Sequence, residues 1–248
     1  MLQSRRMFEF LRRTGPYYWF AWRVVRIHFT IWHQLKVIGV ENVPLSGGAL
    51  LAANHISHLD PPSIGVSLVR RTRFVAKQEL FEQFFLKWFL PSLEVIPIKR
   101  GSGGSAMLET AIKAVEKGDL VTFFPEGTRS RTGYPGRPRT GIVVVAASTG
   151  VPVIPARVSG TFDCMPPGSR FPRPGPIQVA FGKPIVWKKG EIDLNNREQM
   201  QQAAQYIMDR IMELPGWFPK RAPKRLPVPA EELASEDEQL ERLSSERK

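Results

Sequence analysis

From residue 49 to residue 181, short unbroken apolar runs alternate with stretches of helical periodicity. The runs at 49–53 (ALLAA), 73–76, 95–98, 120–124, 153–158 and 177–181 predict strands. Several lack a polar residue at every second position, as in a sheet covered on both faces. Between them, 61–69, 78–90, 105–117 and 141–148 predict helices. This alternation implies an α/β fold, a layered mixed or mostly parallel sheet flanked by helices.

The ends read differently. Residues 15–35, GPYYWFAWRVVRIHFTIWHQL, are rich in aromatics but carry Arg23 and Arg26. The uncharged runs at 14–22 and 27–35 fall short of the ~20 apolar residues a spanning helix needs. Neither has the unbroken centre and small-residue cleavage site of a signal peptide. Aromatic bodies beside arginines that snorkel describe an amphipathic helical arm, residues 1–36, lying in the interface of an anionic membrane. The competing reading packs the same aromatics on the protein's own core. A domain at 37–217 follows, and 218–248 reads as a basic linker with a charged, flexible tail.

A hydrophobic content of 42% supports a core, and a net charge of +12 calls for an anionic partner. Nucleic acid fits poorly, since the cations are scattered and no reader motif accompanies them. The single cysteine, Cys164, excludes an internal disulfide and fits a reducing compartment. Beside Met165, Pro166 and Pro167 it reads as a spectator thiol.

Two motifs carry the chemistry. The first, NHISHLD at 54–60, directly follows the run ALLAA and precedes Pro61 and Pro62. Asp60 is placed to cap a helix starting at Pro61. On a regular helix His55 and Asp60 would lie about 140° apart, so they meet only if His55 sits in the loop before it. A carboxylate there can accept the Nδ1 proton of His55 and leave Nε2 as a base. His55, His58 and Asp60 also resemble metal-ligand spacing, but a third histidine or cysteine would be expected nearby, so no metal is expected. Ser57 has no nucleophile elbow around it, and His58 reads as a packing or hydrogen-bonding residue.

The second motif, FPEGTRS at 124–130, turns sharply at a predicted strand end. Ligands of open α/β sheets gather beyond the carboxyl ends of strands. Arg129 offers a planar fork for phosphate, with Thr128 and the Gly127 amide as supporting donors. Lys77 and Arg100 close two further runs, so three cations converge as an anion pocket. The glycine-rich 101–105 lacks the features of a nucleotide loop and reads as a connection with Ser105 as a helix cap. No cofactor is expected. In 78–90, Phe81, Phe84, Phe85, Trp88 and Phe89 read as core or as the wall of an acyl channel.

In this order the motifs resemble those of the glycerophospholipid acyltransferases, specifically the PlsC-like 1-acylglycerol-3-phosphate acyltransferases. NHISHLD, VIPIKR ending at Arg100, FPEGTRS, VPVIPA at 151–156 and KQEL at 77–80 carry the resemblance, which spans 37–184. It implies transfer of a fatty acyl group to the sn-2 hydroxyl of lysophosphatidic acid, giving phosphatidic acid. His55 would be the base and Asp60 its partner. Lys77, Arg100 and Arg129 would bind the phosphate, with Glu126, Gly127 and Thr128 shaping that site. The donor would be an acyl-CoA or acyl carrier protein thioester, and the enzyme would sit peripherally or monotopically on the cytoplasmic face of a membrane. Glycerol-3-phosphate or another lysolipid is the alternative acceptor, and a non-catalytic membrane-surface protein the alternative class. Lys87 and Glu94 stand where glycine is frequent in the family, so acyl-chain preference does not transfer, and Arg139 stands where lysine is frequent.

Overall fold

The computed structural model describes residues 16–77, 95–98 and 103–220. Its strands are β1 (Lys36–Ile38), β2 (Ala49–Ala53), β3 (Thr72–Lys77), β4 (Val95–Ile98), β5 (Leu120–Phe123), β6 (Val153–Ser159) and β7 (Gln178–Phe181). Among the described residues they form one seven-stranded sheet in the order β1-β7-β6-β2-β5-β3-β4. Every neighbouring pair is parallel except β6 with β7. The expected mixed, mostly parallel α/β sheet is therefore present. The helices are α1 (Pro16–Trp32), α2 (Asp60–Ser67), α3 (Gly103–Glu116), α4 (Gly141–Thr149), α5 (Thr161–Cys164) and α6 (Arg197–Glu213).

The unbroken apolar runs reflect two hydrophobic layers, one on each side of the sheet. Successive strand side chains point to opposite faces. Leu50 and Ala52 of β2 therefore join the cluster formed with α3, α4 and α6. Ala49, Leu51 and Ala53 join the other, with Ile64 of α2 and Leu68 just beyond its end. Both faces being covered, all five residues of β2 are buried and apolar.

Several elements depart from expectation. Helix α3 starts at Gly103, so Ser105 lies within its first turn rather than capping it. Strand β1 begins at Lys36, which pairs with Gln178 inside the expected arm. Helix α6 was not anticipated at all, because its mean composition is polar. Its signal is the spacing of Ala203, Ala204, Ile207, Met208 and Ile211, all buried, behind an Asn196 cap that accepts the Gln199 amide. At the far end, Phe218 packs on Tyr134 and under Arg157, and the Lys220 amide donates to Asp163. The predicted helix 78–90, with its aromatic residues, and Lys87 and Glu94 lie outside the described residues.

Helix α1 divides its apolar residues between two faces. Trp22 and Phe29 are buried, and the following His33 is fully so. Trp22 Nε1 and the Arg26 guanidinium donate to the Gly65 and Val66 carbonyls at the end of α2, where a helix leaves acceptors unsatisfied. Phe20, Val24, Ile27 and Ile31 remain exposed, Ile31 at 75%. At 100° per residue those four lie within about 60° of one another. The reading that packs these aromatics on the protein's own core thus holds for Trp22 and Phe29. Among the described residues, no helix is long and apolar enough to cross a membrane.

Candidate active site

The site is built on the carboxyl ends of β2 and β5, adjacent parallel strands with Ala52 opposite Phe123. Where β2 stops, Asn54 continues its pairing with β6 through a side chain. Its Nδ2 donates to the Val158 carbonyl at 3.0 Å, and its Oδ1 accepts the Val158 amide at 2.7 Å. The main chain is thereby freed to turn out of the sheet at His55.

Asp60 corrects one expectation. Its helix begins at Asp60 itself, with Leu59 in the cap position, and the carboxylate satisfies no amide of that helix. It reaches back onto the preceding loop instead. Oδ2 accepts the amides of Ile56 at 2.6 Å and Ser57 at 2.7 Å, and the Nδ1 of His55 at 2.8 Å. A carboxylate of an early helical residue can curl the loop before it, because three consecutive donors face one point. The pairing of His55 with Asp60, His55 lying in the loop, is the geometry anticipated. Asp60 is fully buried, while the His55 side chain retains 16% exposure. Its ring is stacked on Phe124 at 4.0 Å.

Ser57 is buried and donates its hydroxyl proton to the Met165 carbonyl at 2.9 Å. That hydroxyl ties the loop to the segment after α5. Burial, then the charges of Arg129 and His55, push His58 down to about 4, with Asp60 opposing. His58 is therefore a neutral imidazole at the mouth of the site near pH 7. Among the described residues, no group of three or more His, Cys, Asp or Glu is placed to hold a metal ion.

The FPEGTRS turn is stapled to the histidine loop from both sides. The His55 amide donates to Glu126 Oε1 at 2.8 Å, and the Ser130 amide donates to the His55 carbonyl at 2.8 Å. Glu126 Oε2 accepts the Gly136 amide at 2.9 Å. Both oxygens of this buried carboxyl face main-chain donors and hold the turn against the histidine loop. Burial pushes it up to about 7, against the lowering by the Gly136 and His55 amides and with a further rise from Asp60. The Gly127 amide is not a free donor either: it closes the turn onto the Phe124 carbonyl at 2.9 Å. Gly127 has φ 69, and a Cβ there would come within 2.6 Å of the Arg139 guanidinium. Thr128 is exposed beside it.

Arg129 lies close enough to Asp60 and His58 for its charge to act on both groups. Burial lowers its affinity for a proton and Asp60 opposes this; a guanidinium remains charged at any physiological pH. Phe74 of β3 aligns with Thr122 of β5, and β3 continues to Lys77, level with the start of the turn. The main chain thus brings Lys77 to the same sheet edge as His55 and Arg129. Beside it β4 ends at Ile98, and Arg100 lies outside the described residues.

Comparison with known proteins follows the same boundaries. Residues 34–159 match the model of the family described as Acyltransferase. That span holds both motifs and the strands that carry them. The chain belongs to the Acyltransferase family. A chloroplastic 1-acyl-sn-glycerol-3-phosphate acyltransferase of Brassica napus is 35% identical over 164 residues, covering 64% of this chain and 47% of that protein. The chain thus spans about half the length of that relative. A Bacillus subtilis protein named 1-acyl-sn-glycerol-3-phosphate acyltransferase is 26% identical over 79% of this chain and 96% of its own. The crystal structure of the PlsC acyltransferase from Thermotoga maritima superposes with a TM-score of 0.62 at 25% identity, covering 84% of this chain and 86% of that one.

Around the acyltransferase motifs, three side chains escaped sequence reasoning. Phe124 was read only as a strand residue, Asn54 only as a motif letter, and Thr161 not at all. Thr161 donates its hydroxyl to Asp60 Oδ1 at 2.5 Å from the residue after β6 and Gly160. The rule that ligands gather at strand carboxyl ends, applied to 153–158 as to the other runs, would have nominated it.

Proposed function

We propose that the protein transfers a fatty acyl group from an acyl thioester to the sn-2 hydroxyl of 1-acyl-glycerol-3-phosphate, forming phosphatidic acid. The observation that carries this is the 2.8 Å contact between His55 Nδ1 and a buried Asp60 at the end of β2. It directs the proton to Nδ1 and turns Nε2 toward the acceptor as a base. The names of the relatives and the position of Arg129 beside the pair support a phosphate-bearing acceptor.

Energetics constrain the step. A hydroxyl of pKa ~15.7 lies about nine units above imidazole at ~6.5, so forming a free alkoxide would cost about 12 kcal/mol. His55 therefore takes the proton as the oxygen bonds to the thioester carbonyl. The tetrahedral intermediate collapses, the C–S bond breaks, and the imidazolium returns the proton to the leaving thiolate. Arg129 and Lys77, with Arg100, grip the phosphate and so fix the distance and angle of the attacking oxygen. The donor is a coenzyme A or acyl carrier protein thioester.

The exposed stripe of α1, with the exposed Arg23 beside it, supports peripheral or monotopic attachment to an anionic membrane. Attachment there places the site beside its lipid acceptor. The decisive experiment offers lysophosphatidate and glycerol-3-phosphate together with a mixed pool of both thioester types and analyses products by mass spectrometry. Phosphatidate from lysophosphatidate is the expected product, and its absence beside an acylated glycerol-3-phosphate would reject this acceptor.

A further inference from the structure

The Asp60 carboxylate is fully buried and takes four hydrogen bonds. Three arrive at Oδ2, from His55, Ile56 and Ser57, and the fourth is the Thr161 hydroxyl at Oδ1, 2.5 Å away. We infer that Thr161 is a positioning residue for acyl transfer, acting on His55 through Asp60; this rests on the reading of His55 as the base.

Thr161 is itself fully buried, and a hydroxyl has one proton to give, which here goes to Asp60. The residue opens α5 directly after Gly160, whose φ is 86. A Cβ at Gly160 would come within 2.0 Å of the Pro176 carbonyl oxygen, so only glycine fits that turn. The backbone alone thus delivers the hydroxyl, from the turn after β6, a strand that carries neither motif.

A carboxylate held only at Oδ2 is free to pivot about that oxygen. The bond at Oδ1 stops the rotation and fixes the plane in which the His55 proton lies. It also draws charge from Oδ2 and moderates the pull on that proton. Losing it strengthens the pull, so the imidazolium is retained to higher pH. The other ionisable neighbours of the pair are His58, Arg129 and Glu126, and α5 itself carries Asp163. None is altered by substitution at 161, so the comparison isolates this one bond.

The test measures initial rates with 1-oleoyl-glycerol-3-phosphate and palmitoyl-coenzyme A across the neutral pH range. Thr161→Val should lower kcat by about ten- to a hundredfold, the loss of one hydrogen bond to a charged group, with the acceptor KM unchanged. The acid limb of its pH profile should move to higher pH, and Thr161→Ser should restore both rate and limb. A valine variant at the wild-type rate, or slower with an unmoved limb, overturns the inference. His55→Ala is assayed beside it. Turnover there would defeat the assignment of the base, whereas an inert His55→Ala beside an unaffected valine variant defeats the role of Thr161 alone. If the valine variant does not fold, proton NMR of the wild type decides: a slowly exchanging Thr161 hydroxyl resonance is expected, and its absence overturns the inference.

Discussion

The imidazole of His55 lies flat on the ring of Phe124, with centroids 4.0 Å apart and planes inclined by 18°. Phe124 is the first residue beyond β5, so the second motif supplies the platform for the side chain of the first. Such a stack is worth about 0.5–1.5 kcal/mol. Phe124→Leu keeps the site apolar but loses the flat face. It should lower kcat by up to about tenfold with little change in acceptor KM, as steady-state kinetics would show; a change confined to KM would speak against the platform.

Asp60→Asn retains the shape but replaces one acceptor oxygen by an amide that donates. One of the four donors now facing Asp60 would meet another donor. Turnover should fall by at least about a hundredfold, since a neutral amide no longer stabilises the imidazolium that His55 becomes on taking the proton. Stability should drop by about 1–3 kcal/mol for the unsatisfied group, read as a lower denaturation midpoint.

Arg129→Ala should act on the acceptor. Removing a charge-assisted phosphate contact worth about 1.5–3 kcal/mol should raise the acceptor KM by roughly ten- to a hundredfold. The thioester KM should stay near its starting value. A defect seen only with the thioester would contradict the phosphate role.

Glu126 predicts a pH-dependent stability. Its carboxyl is pushed up from 4.5 to about 7 when folded. A group raised on folding stabilises fully below its unfolded value, and that contribution disappears as pH rises through the folded one. Compared with Glu126→Gln, which does not titrate, wild type should lose relative stability between about pH 4.5 and 7. The shift corresponds to roughly 3 kcal/mol. Thermal melts of both proteins at each end of that window measure it, and a constant difference would refute the buried titration.

The apolar stripe of α1 should govern membrane binding. Ile27→Glu combined with Ile31→Glu puts two carboxylates on the exposed face without touching Trp22, Phe29 or the bonds to α2. Flotation with vesicles containing phosphatidylglycerol should drop sharply for this variant, while circular dichroism stays unchanged. Undiminished flotation would locate the membrane contact elsewhere.

What could be read from the chain depended on how local the information is. The strands 49–53, 95–98 and 120–124 were legible because a sheet covered on both faces requires continuous apolar runs. The pairing of His55 with Asp60 was legible because two prolines fix a loop boundary between residues close in sequence. Asp60 as a helix cap was misjudged: capping and curling the preceding loop use the same residue type at nearly the same place, and only the path of the backbone separates them. The partners of the Gly127 amide and the Glu126 carboxyl were hidden for a related reason. Each finds its partner within the fold, at Phe124 for one and at His55 and Gly136 for the other.

By itself the sequence determined the class of fold, the two motifs and the chemistry their residue types permit, since those follow from side-chain identity and short-range spacing. Tertiary structure decided which residues surround the base. Phe124, Glu126 and Thr161 reach His55 or Asp60 across gaps of tens to a hundred residues, through a strand order that no local pattern encodes. Sheet register places them, and register is a property of how all seven strands pack together.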